Sequence, residues 1–178
     1  MTTTTTPSTP ANTDLDFVIS RTFAAPRALV YQYWTDPEHM KHWWGPRGFT
    51  SPVCKLDLRP GGNMHYCMRS ADGREMWGKF SYREVVAPER LVYINAFSNA
   101  EGGLTRHPMN PNWPLELLST ITFDEHGGKT TLTIRWGLLP TAAAEERKTF
   151  NEGHASMQQG WTGTLDQLTA YLAERAGK

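Results

Sequence analysis

The sequence predicts an α+β fold in which a curved antiparallel sheet is covered by one long C-terminal helix. Three observations predict it. Residues 49–138 alternate β-rich stretches with turn signals, a pattern typical of short antiparallel strands. One more strand and two short helices precede this region, and an amphipathic run, residues 141–175, follows it. Because a twisted sheet of seven strands curls, its concave face needs a cover, and only the terminal run is long enough.

The first strand is expected to follow a polar tail. Residues 1–13 are rich in threonine, proline, serine and asparagine, so we expect them to be disordered. Residues 15–23 are β-rich and place Phe17 and Phe23 on the same face. No internal repeat or change of composition follows, and residues 14–176 are therefore predicted to form a single domain.

Two short helices are predicted next. Pro26 fits the first turn of a helix, where its missing N–H is not needed. Asp36 followed by Pro37 is a second helix start, because an aspartate side chain can cap the free backbone N–H groups there. We expect the second helix to end near Trp43.

Turn-forming residues divide the following region into six predicted strands. A loop rich in glycine, proline and asparagine, residues 99–114, separates the fourth of these strands from the fifth. The predicted strands are residues 49–58, 63–70, 76–86, 91–98, 115–123 and 129–138.

The terminal run has apolar residues at alternating steps of three and four, which places them on one helix face. Thr141 is the expected N-cap, and residues 145–148 are expected to be solvated. Gly153 and Gly160 each cost about 1 kcal/mol relative to alanine inside a helix. We expect Gly160 to allow close packing and Gly153 to allow a bend that opens a pocket. The face consists of Phe150, His154, Met157, Trp161, Leu165, Leu168 and Leu172.

The bulk composition excludes several classes of partner. Lysine plus arginine and aspartate plus glutamate number 18 each, which does not favour nucleic acid. No run of about 18 apolar residues is present, so we expect no membrane insertion. With no basic, apolar leader and only Cys54 and Cys67 as cysteines, a reduced, cytoplasmic protein is expected.

Several short motifs, in order along about residues 14–175, resemble a known family. The resemblance is to the domain related to the activator of the heat-shock-protein-90 ATPase, within the START-like, birch-pollen-allergen-like superfamily. It implies a helix-grip fold, in which an antiparallel sheet grips the C-terminal helix around an apolar cavity. The motifs are Arg21–Pro26, Trp34–Glu38, Trp43–Pro46, Asp57–Gly62, Pro88–Val92 and Met157–Trp161.

The leading hypothesis is therefore the binding of a small hydrophobic molecule beneath the terminal helix. Aromatic rings and methionines with a few polar groups suit such a pocket. The alternative is that the same side chains pack directly together as a solid core. The candidate ligand-binding residues are Trp44, Tyr66, Met68, Phe80, Phe97, Trp113, Trp136, His154, Met157 and Trp161.

Two further functions stay open at this stage. An enzyme of the cyclase or hydrolase type could use His154 or Tyr66 as a proton carrier, although no acid–base pair accompanies them in the sequence. The resemblance also implies a second alternative, an interaction protein that modulates a chaperone ATPase.

Residues near the predicted cavity mouth also have two interpretations. Trp43, Trp44 and Trp113 either line the mouth or pack against a second copy in a homodimer. His39 and His42 lie three residues apart, but no further histidine or cysteine pair completes a metal site, so we expect neither a metal nor another cofactor.

Overall fold

The computed structural model describes residues 15–178, which form one seven-stranded antiparallel sheet and four helices. The predicted disordered tail, residues 1–13, lies outside the described residues. No helix within residues 15–178 is long and apolar enough to cross a membrane. The elements are β1 (Phe17–Phe23), α1 (Arg27–Thr35), α2 (Pro37–Met40), β2 (Thr50–Leu56), β3 (Asn63–Arg69), β4 (Glu75–Val86), β5 (Arg90–Ser98), β6 (Leu117–His126), β7 (Lys129–Leu138), α3 (Ala144–Glu152) and α4 (His154–Ala176).

The strand order is β1-β7-β6-β5-β4-β3-β2, and every neighbouring pair is antiparallel. Strands β2 to β7 form a continuous meander, and β1 joins it at the far edge by pairing with β7. The curled sheet packs its concave face against α4, and the predicted α+β helix-grip fold is confirmed.

Alternate residues along the strands face the helix and are buried. Phe17 and Phe23 of β1 are 3% and 2% exposed, as their spacing predicts. Across the sheet, register places Met64, Phe80, Asn95 and Leu117 in one row on neighbouring strands. The concave face is therefore continuous from β3 to β6.

Helices α1 and α2 close one end of the sheet with aromatic rings. Trp34 and Trp43 are 2% and 1% exposed, and their rings lie 5.0 Å apart. Asp36 caps α2 as predicted, since its Oδ1 accepts from the Glu38 backbone N–H at 2.9 Å. The indole of Trp43 donates to the Tyr33 carbonyl at 3.0 Å, which fixes the connection after α2.

The predicted single C-terminal helix is wrong in one respect, because Gly153 divides it into α3 and α4. Gly153 has φ −88° and ψ 0° and ends α3. A Cβ on this residue would lie 3.2 Å from Cζ3 of Trp113 and 3.0 Å from the Thr149 carbonyl oxygen. The missing side chain at Gly153 thus lets Trp113 pack against the junction of the two helices.

The predicted start of the terminal helix is also wrong. Ala143, rather than Thr141, is the N-cap, and its N–H donates to Oε2 of Glu146 at 2.9 Å. Glu146 is 9% exposed and Arg147 donates to the carbonyls of Leu139, Pro140 and Ala142. Glu146 and Arg147 were expected to be solvated, but together they anchor the chain that leads into α3.

Residues 99–116 form an ordered loop in which polar side chains cap successive turns. The side chain of Asn99 accepts from the N–H groups of Glu101 and Gly103 at 3.1 and 2.8 Å. Asn110 accepts from the Asn112 N–H at 3.2 Å in the same way. These bonds hold the loop in a defined path beside α3 although it contains no regular strand or helix.

A cavity between the sheet and the last helix

A cavity of about 570 Å³ lies between the concave face of the sheet, the loop 99–116 and the N-terminal half of α4. Every predicted ligand-binding residue except His154 lines it. Those lining residues are Trp44, Tyr66, Met68, Phe80, Phe97, Trp113, Trp136, Met157 and Trp161. The alternative of a solid core therefore does not hold at this end of the sheet.

His154 lies outside the cavity lining. Its ring packs edge-on against Phe17 at 5.9 Å and Phe150 at 5.2 Å, so it is turned toward the edge strand β1. Its Nε2 is buried and has no hydrogen-bond partner among the described residues. His154 and Met157 share α4, but helix spacing alone does not determine which part of the sheet the first turn of that helix faces.

Three tryptophans from α4, β7 and the segment after α2 form one wall of the cavity. Trp161 of α4 contacts Trp44 and Trp136 with ring centroids 5.8 and 5.5 Å apart, both nearly perpendicular. Such edge-to-face contacts are favourable for aromatic pairs and hold the rings in fixed positions. The wall is thus rigid and apolar.

Tyr66 forms part of the cavity floor and lies across the neighbouring strand. It pairs with Gly78 of β4, and a Cβ at Gly78 would overlap the tyrosine hydroxyl. Burial raises the pKa of Tyr66 above its ordinary range, and the nearby indole N–H of Trp44 offsets part of this rise. The hydroxyl therefore stays protonated at neutral pH and can donate a hydrogen bond.

Asn95 supplies a polar group that the sequence patterns did not reveal. Its side chain lines the cavity, and its Oδ1 accepts from the hydroxyl of Ser119 at 2.5 Å. Ser119 is fully buried on β6. A lone asparagine and serine on adjacent strands carry no sequence signal, because their pairing depends on the register of β5 and β6.

His107 is the second polar residue that sequence reasoning missed. Its Nδ1 accepts from the N–H groups of Met109 and Asn110 at 3.0 and 3.1 Å, which caps a turn at the cavity rim. The ring packs on Phe97 at 4.7 Å. Burial lowers the pKa of His107 below its ordinary value, so the neutral form that accepts these bonds prevails at neutral pH.

The cavity opens to solvent beside this turn. Met109 is 75% exposed, and Ser156 and Gly160 of α4, which also line the cavity, are exposed. Trp113 and Trp44 are at the cavity as predicted, whereas Trp43 is buried beneath α1 and is absent from both mouth and surface. Trp43 therefore cannot anchor a second copy.

Gly160 does not serve close packing, contrary to the expectation. A Cβ built on this residue would meet no atom within 4 Å, so the helix gives up stability there without gaining a contact. Gly163, one turn further along α4, has the same free space but does not line the cavity.

An ion pair fastens the loop to α3. Arg106 donates to Oε1 of Glu146, and the same oxygen accepts from the Leu115 N–H at 3.3 Å. Burial would raise the pKa of Glu146, but hydrogen bonds from Arg106, Ala143 and Leu115 outweigh it and lower the pKa. The carboxylate is therefore charged at neutral pH and joins three segments behind the cavity wall.

The cavity chemistry is that of a binding site with little charge. Apart from Tyr66 and His107, none of the described residues that line it has an ionisable side chain. The cysteines lie elsewhere, and burial raises the pKa of the Cys54 thiol to about 11, so it is protonated and unreactive at neutral pH. No group of three metal-ligating side chains converges within residues 15–178.

A curled antiparallel sheet, a C-terminal helix held against its concave face and a cavity between them define the helix-grip class of proteins. A model of the family described as "Activator of Hsp90 ATPase homolog 1-like protein" matches residues 24–173. The chain belongs to this family.

Solved structures of similar proteins come from several bacteria. Protein Ms6760 from Mycobacterium smegmatis is 26% identical, with a TM-score of 0.72 over 89% of this chain and 91% of that one. Protein NE0264 from Nitrosomonas europaea is 24% identical, with a TM-score of 0.72 over 94% and 99% of the two chains. A protein from Arthrobacter aurescens is 24% identical, with a TM-score of 0.73 over 90% and 87%. The last two likenesses bear on the fold alone, and none of the curated proteins compared matches the chain.

Proposed function

We propose that the protein binds a small hydrophobic molecule in the cavity between the sheet and α4. The observation that carries this proposal is the cavity itself, about 570 Å³ in a region where the sheet and the helix could otherwise have packed together. Its size lies within the range of small-molecule sites, and its lining is mainly apolar and rich in aromatic rings.

The surroundings of the cavity support the same function. The exposed Met109 at the rim offers an apolar surface beside the opening. The Arg106–Glu146 pair and the cap made by His107 hold the loop in place, so the cavity exists before any ligand binds. A preformed site avoids the entropy cost of ordering a loop on binding.

Binding can be tested with Nile red, an uncharged dye whose fluorescence rises in apolar surroundings. Gly160→Leu adds an apolar side chain at the cavity, whereas Gly163→Leu adds the same side chain away from it. We expect the wild type and Gly163→Leu to bind the dye and to gain thermal stability from it, and Gly160→Leu to bind it at least about tenfold more weakly. Equal binding by all three proteins would place the dye elsewhere and contradict the proposal.

Modulation of a chaperone ATPase is a second candidate, supported by the description of the family. It predicts that the protein changes the ATPase rate of a heat-shock-protein-90 chaperone in proportion to its concentration. Gly160→Leu separates the two candidates, because it should weaken ligand binding without altering a surface contact elsewhere.

A further inference from the structure

We propose that the ligand is an uncharged hydrophobic molecule carrying a hydrogen-bond acceptor, such as a carbonyl oxygen, which lies between Tyr66 and Asn95. This inference rests on the proposed function and specifies the chemical class of the ligand. Two observations support it. Within the part of the chain that the structure describes, two polar groups in the cavity have hydrogen-bond donors without partners, and no lysine or arginine lines the cavity.

Tyr66 presents the first unused donor. The Trp44 indole N–H approaches its oxygen, but the O–H hydrogen has no acceptor among the described residues, and Tyr66 lines the cavity. The ring is fixed by its position over Gly78 and by contacts with Trp44 and Phe80 at 5.6 and 5.5 Å. The hydroxyl is therefore held in one place.

Asn95 presents the second donor, and Ser119 determines its orientation. Because the Ser119 hydroxyl donates to Oδ1, the amide nitrogen Nδ2 is directed away from Ser119. Nδ2 has no partner within residues 15–178 and is not enclosed. An N–H group left in an apolar site without a partner costs free energy, which a ligand oxygen can recover.

The two donors lie near one another on the sheet. Gly78, beneath the Tyr66 ring, faces Phe97 on β5, and Asn95 is two residues from Phe97 on the same side of that strand. Gly78 and Asn95 are diagonal neighbours on adjacent strands, a spacing of about 7–8 Å, and the Tyr66 hydroxyl lies over Gly78. One ligand oxygen, or an oxygen and a bridging water, can therefore reach both groups.

The absence of charge near these donors excludes an anionic group. None of the described residues lining the cavity is a lysine or an arginine, and His107 has its Nδ1 engaged by two backbone N–H groups. A carboxylate placed there would lose its hydration without a cation to pair with. The site therefore favours a neutral acceptor over a charged one.

Three planar probes of nearly the same shape test this selection. They are 2-acetylnaphthalene, which carries a carbonyl, 2-isopropenylnaphthalene, which replaces the oxygen with a methylene, and 2-naphthoate, which is anionic. Dissociation constants are measured at pH 7.5 by titration monitored with NMR. We expect the ketone to bind about 3–10-fold more tightly than the hydrocarbon and at least about tenfold more tightly than the anion.

Tyr66→Phe removes the donor with little change of shape, and it should reduce the preference for the ketone to about twofold or less. Tyr31→Phe is the matched control, since Tyr31 is a buried tyrosine that does not line the cavity, and it should leave the preference unchanged. If ketone and hydrocarbon bind equally and Tyr66→Phe has no effect, the acceptor inference is overturned while the proposed function stands. Tightest binding of 2-naphthoate would likewise overturn it, and no binding of any probe would overturn both proposals.

Discussion

Both ends of α4 face the same sheet, but one end packs in a closed core and the other borders a cavity. Toward its C-terminus, Leu165 and Leu168 are 0% exposed and pack in a continuous core with Phe123 and Trp34. Toward its N-terminus, Met157 faces a cavity of about 570 Å³. The amphipathic spacing is the same at both ends, so the helix itself does not decide which end is open.

The difference lies in what the rest of the chain inserts beside the helix. At the closed end, α1 and the segment after α2 supply Trp34 and Trp43, and Trp34 stacks on Trp161 with centroids 6.1 Å apart. At the open end, the loop 99–116 lies beside the cavity, and the Arg106–Glu146 ion pair ties this loop to α3. The two ends therefore differ in the segments that lie beside the helix, not in the apolar pattern of the helix itself.

Substitutions on α4 should give the largest difference in unfolding free energy between its two ends. Leu168→Ala creates a hole in the closed core and should lower the free energy of unfolding by about 2–5 kcal/mol. Met157→Ala enlarges a space that already exists and should cost less than about 2 kcal/mol. Urea unfolding of both variants measures the difference, and equal losses would mean that the cavity is filled in solution.

Removing the Glu146 side chain should release the loop over the open end. Glu146→Ala leaves the N–H groups of Ala143 and Leu115 without their acceptor, and we expect a loss of about 1–3 kcal/mol in unfolding free energy. Hydrogen exchange at the Leu115 amide should accelerate. Glu145→Ala, on the exposed side of the same turn, is the control and should change stability by less than about 0.5 kcal/mol.

Substitution of Gly160 should show that a glycine at the open end of α4 lowers the stability of the protein. Gly160→Ala and Gly163→Ala place a methyl group in free space and replace a poor helix former, so each should stabilise the protein by up to about 1 kcal/mol. Only Gly160→Ala should weaken Nile red binding, because only Gly160 lines the cavity. A loss of stability in Gly160→Ala would show that the space above Gly160 is occupied.

The smallest predicted effect is a pH dependence of the turn that His107 caps in the loop 99–116. Because the folded-state pKa of His107 is lowered, its contribution to stability is complete above the ordinary value of about 6.5 and is lost as pH falls below it toward the folded-state value. The amides of Met109 and Asn110 should exchange faster at pH 5 than the intrinsic rate change predicts.

His107→Asn provides the control for this pH effect. An asparagine Oδ1 can accept from the same two N–H groups but does not titrate. His39, whose pKa burial also lowers, is present in both proteins, so its effect cancels in the comparison. Identical pH profiles for the wild type and His107→Asn would exclude His107 as the cause.

The sequence predicted the architecture well because alternation and helix spacing are local. The faces of β1 and α4 and the Asp36 cap all depend on residues close in sequence. The resemblance of short motifs then indicated the cavity, and strand alternation together with helix spacing placed most of the aromatic residues around it.

The polar part of the site could not be predicted in the same way. Asn95 meets Ser119 only through the register of β5 and β6, and Glu146 meets Arg106 across 40 positions of the chain. Helix spacing groups His154 with Met157 and Trp161 on α4, but its ring packs against Phe17 and Phe150 instead of lining the cavity. Each of these misses concerns a contact that depends on tertiary packing.

The indole N–H signals of the seven tryptophans test the central claim most directly. Trp44, Trp113, Trp136 and Trp161 line the cavity, whereas the indoles of Trp43 and Trp77 donate to Tyr33 and Glu75 elsewhere. In a ¹⁵N correlation spectrum titrated with 2-acetylnaphthalene, the signals of the four lining tryptophans should shift and those of Trp43 and Trp77 should stay in place. Shifts confined to Trp43 or Trp77, or no shifts at saturating probe, would contradict the account.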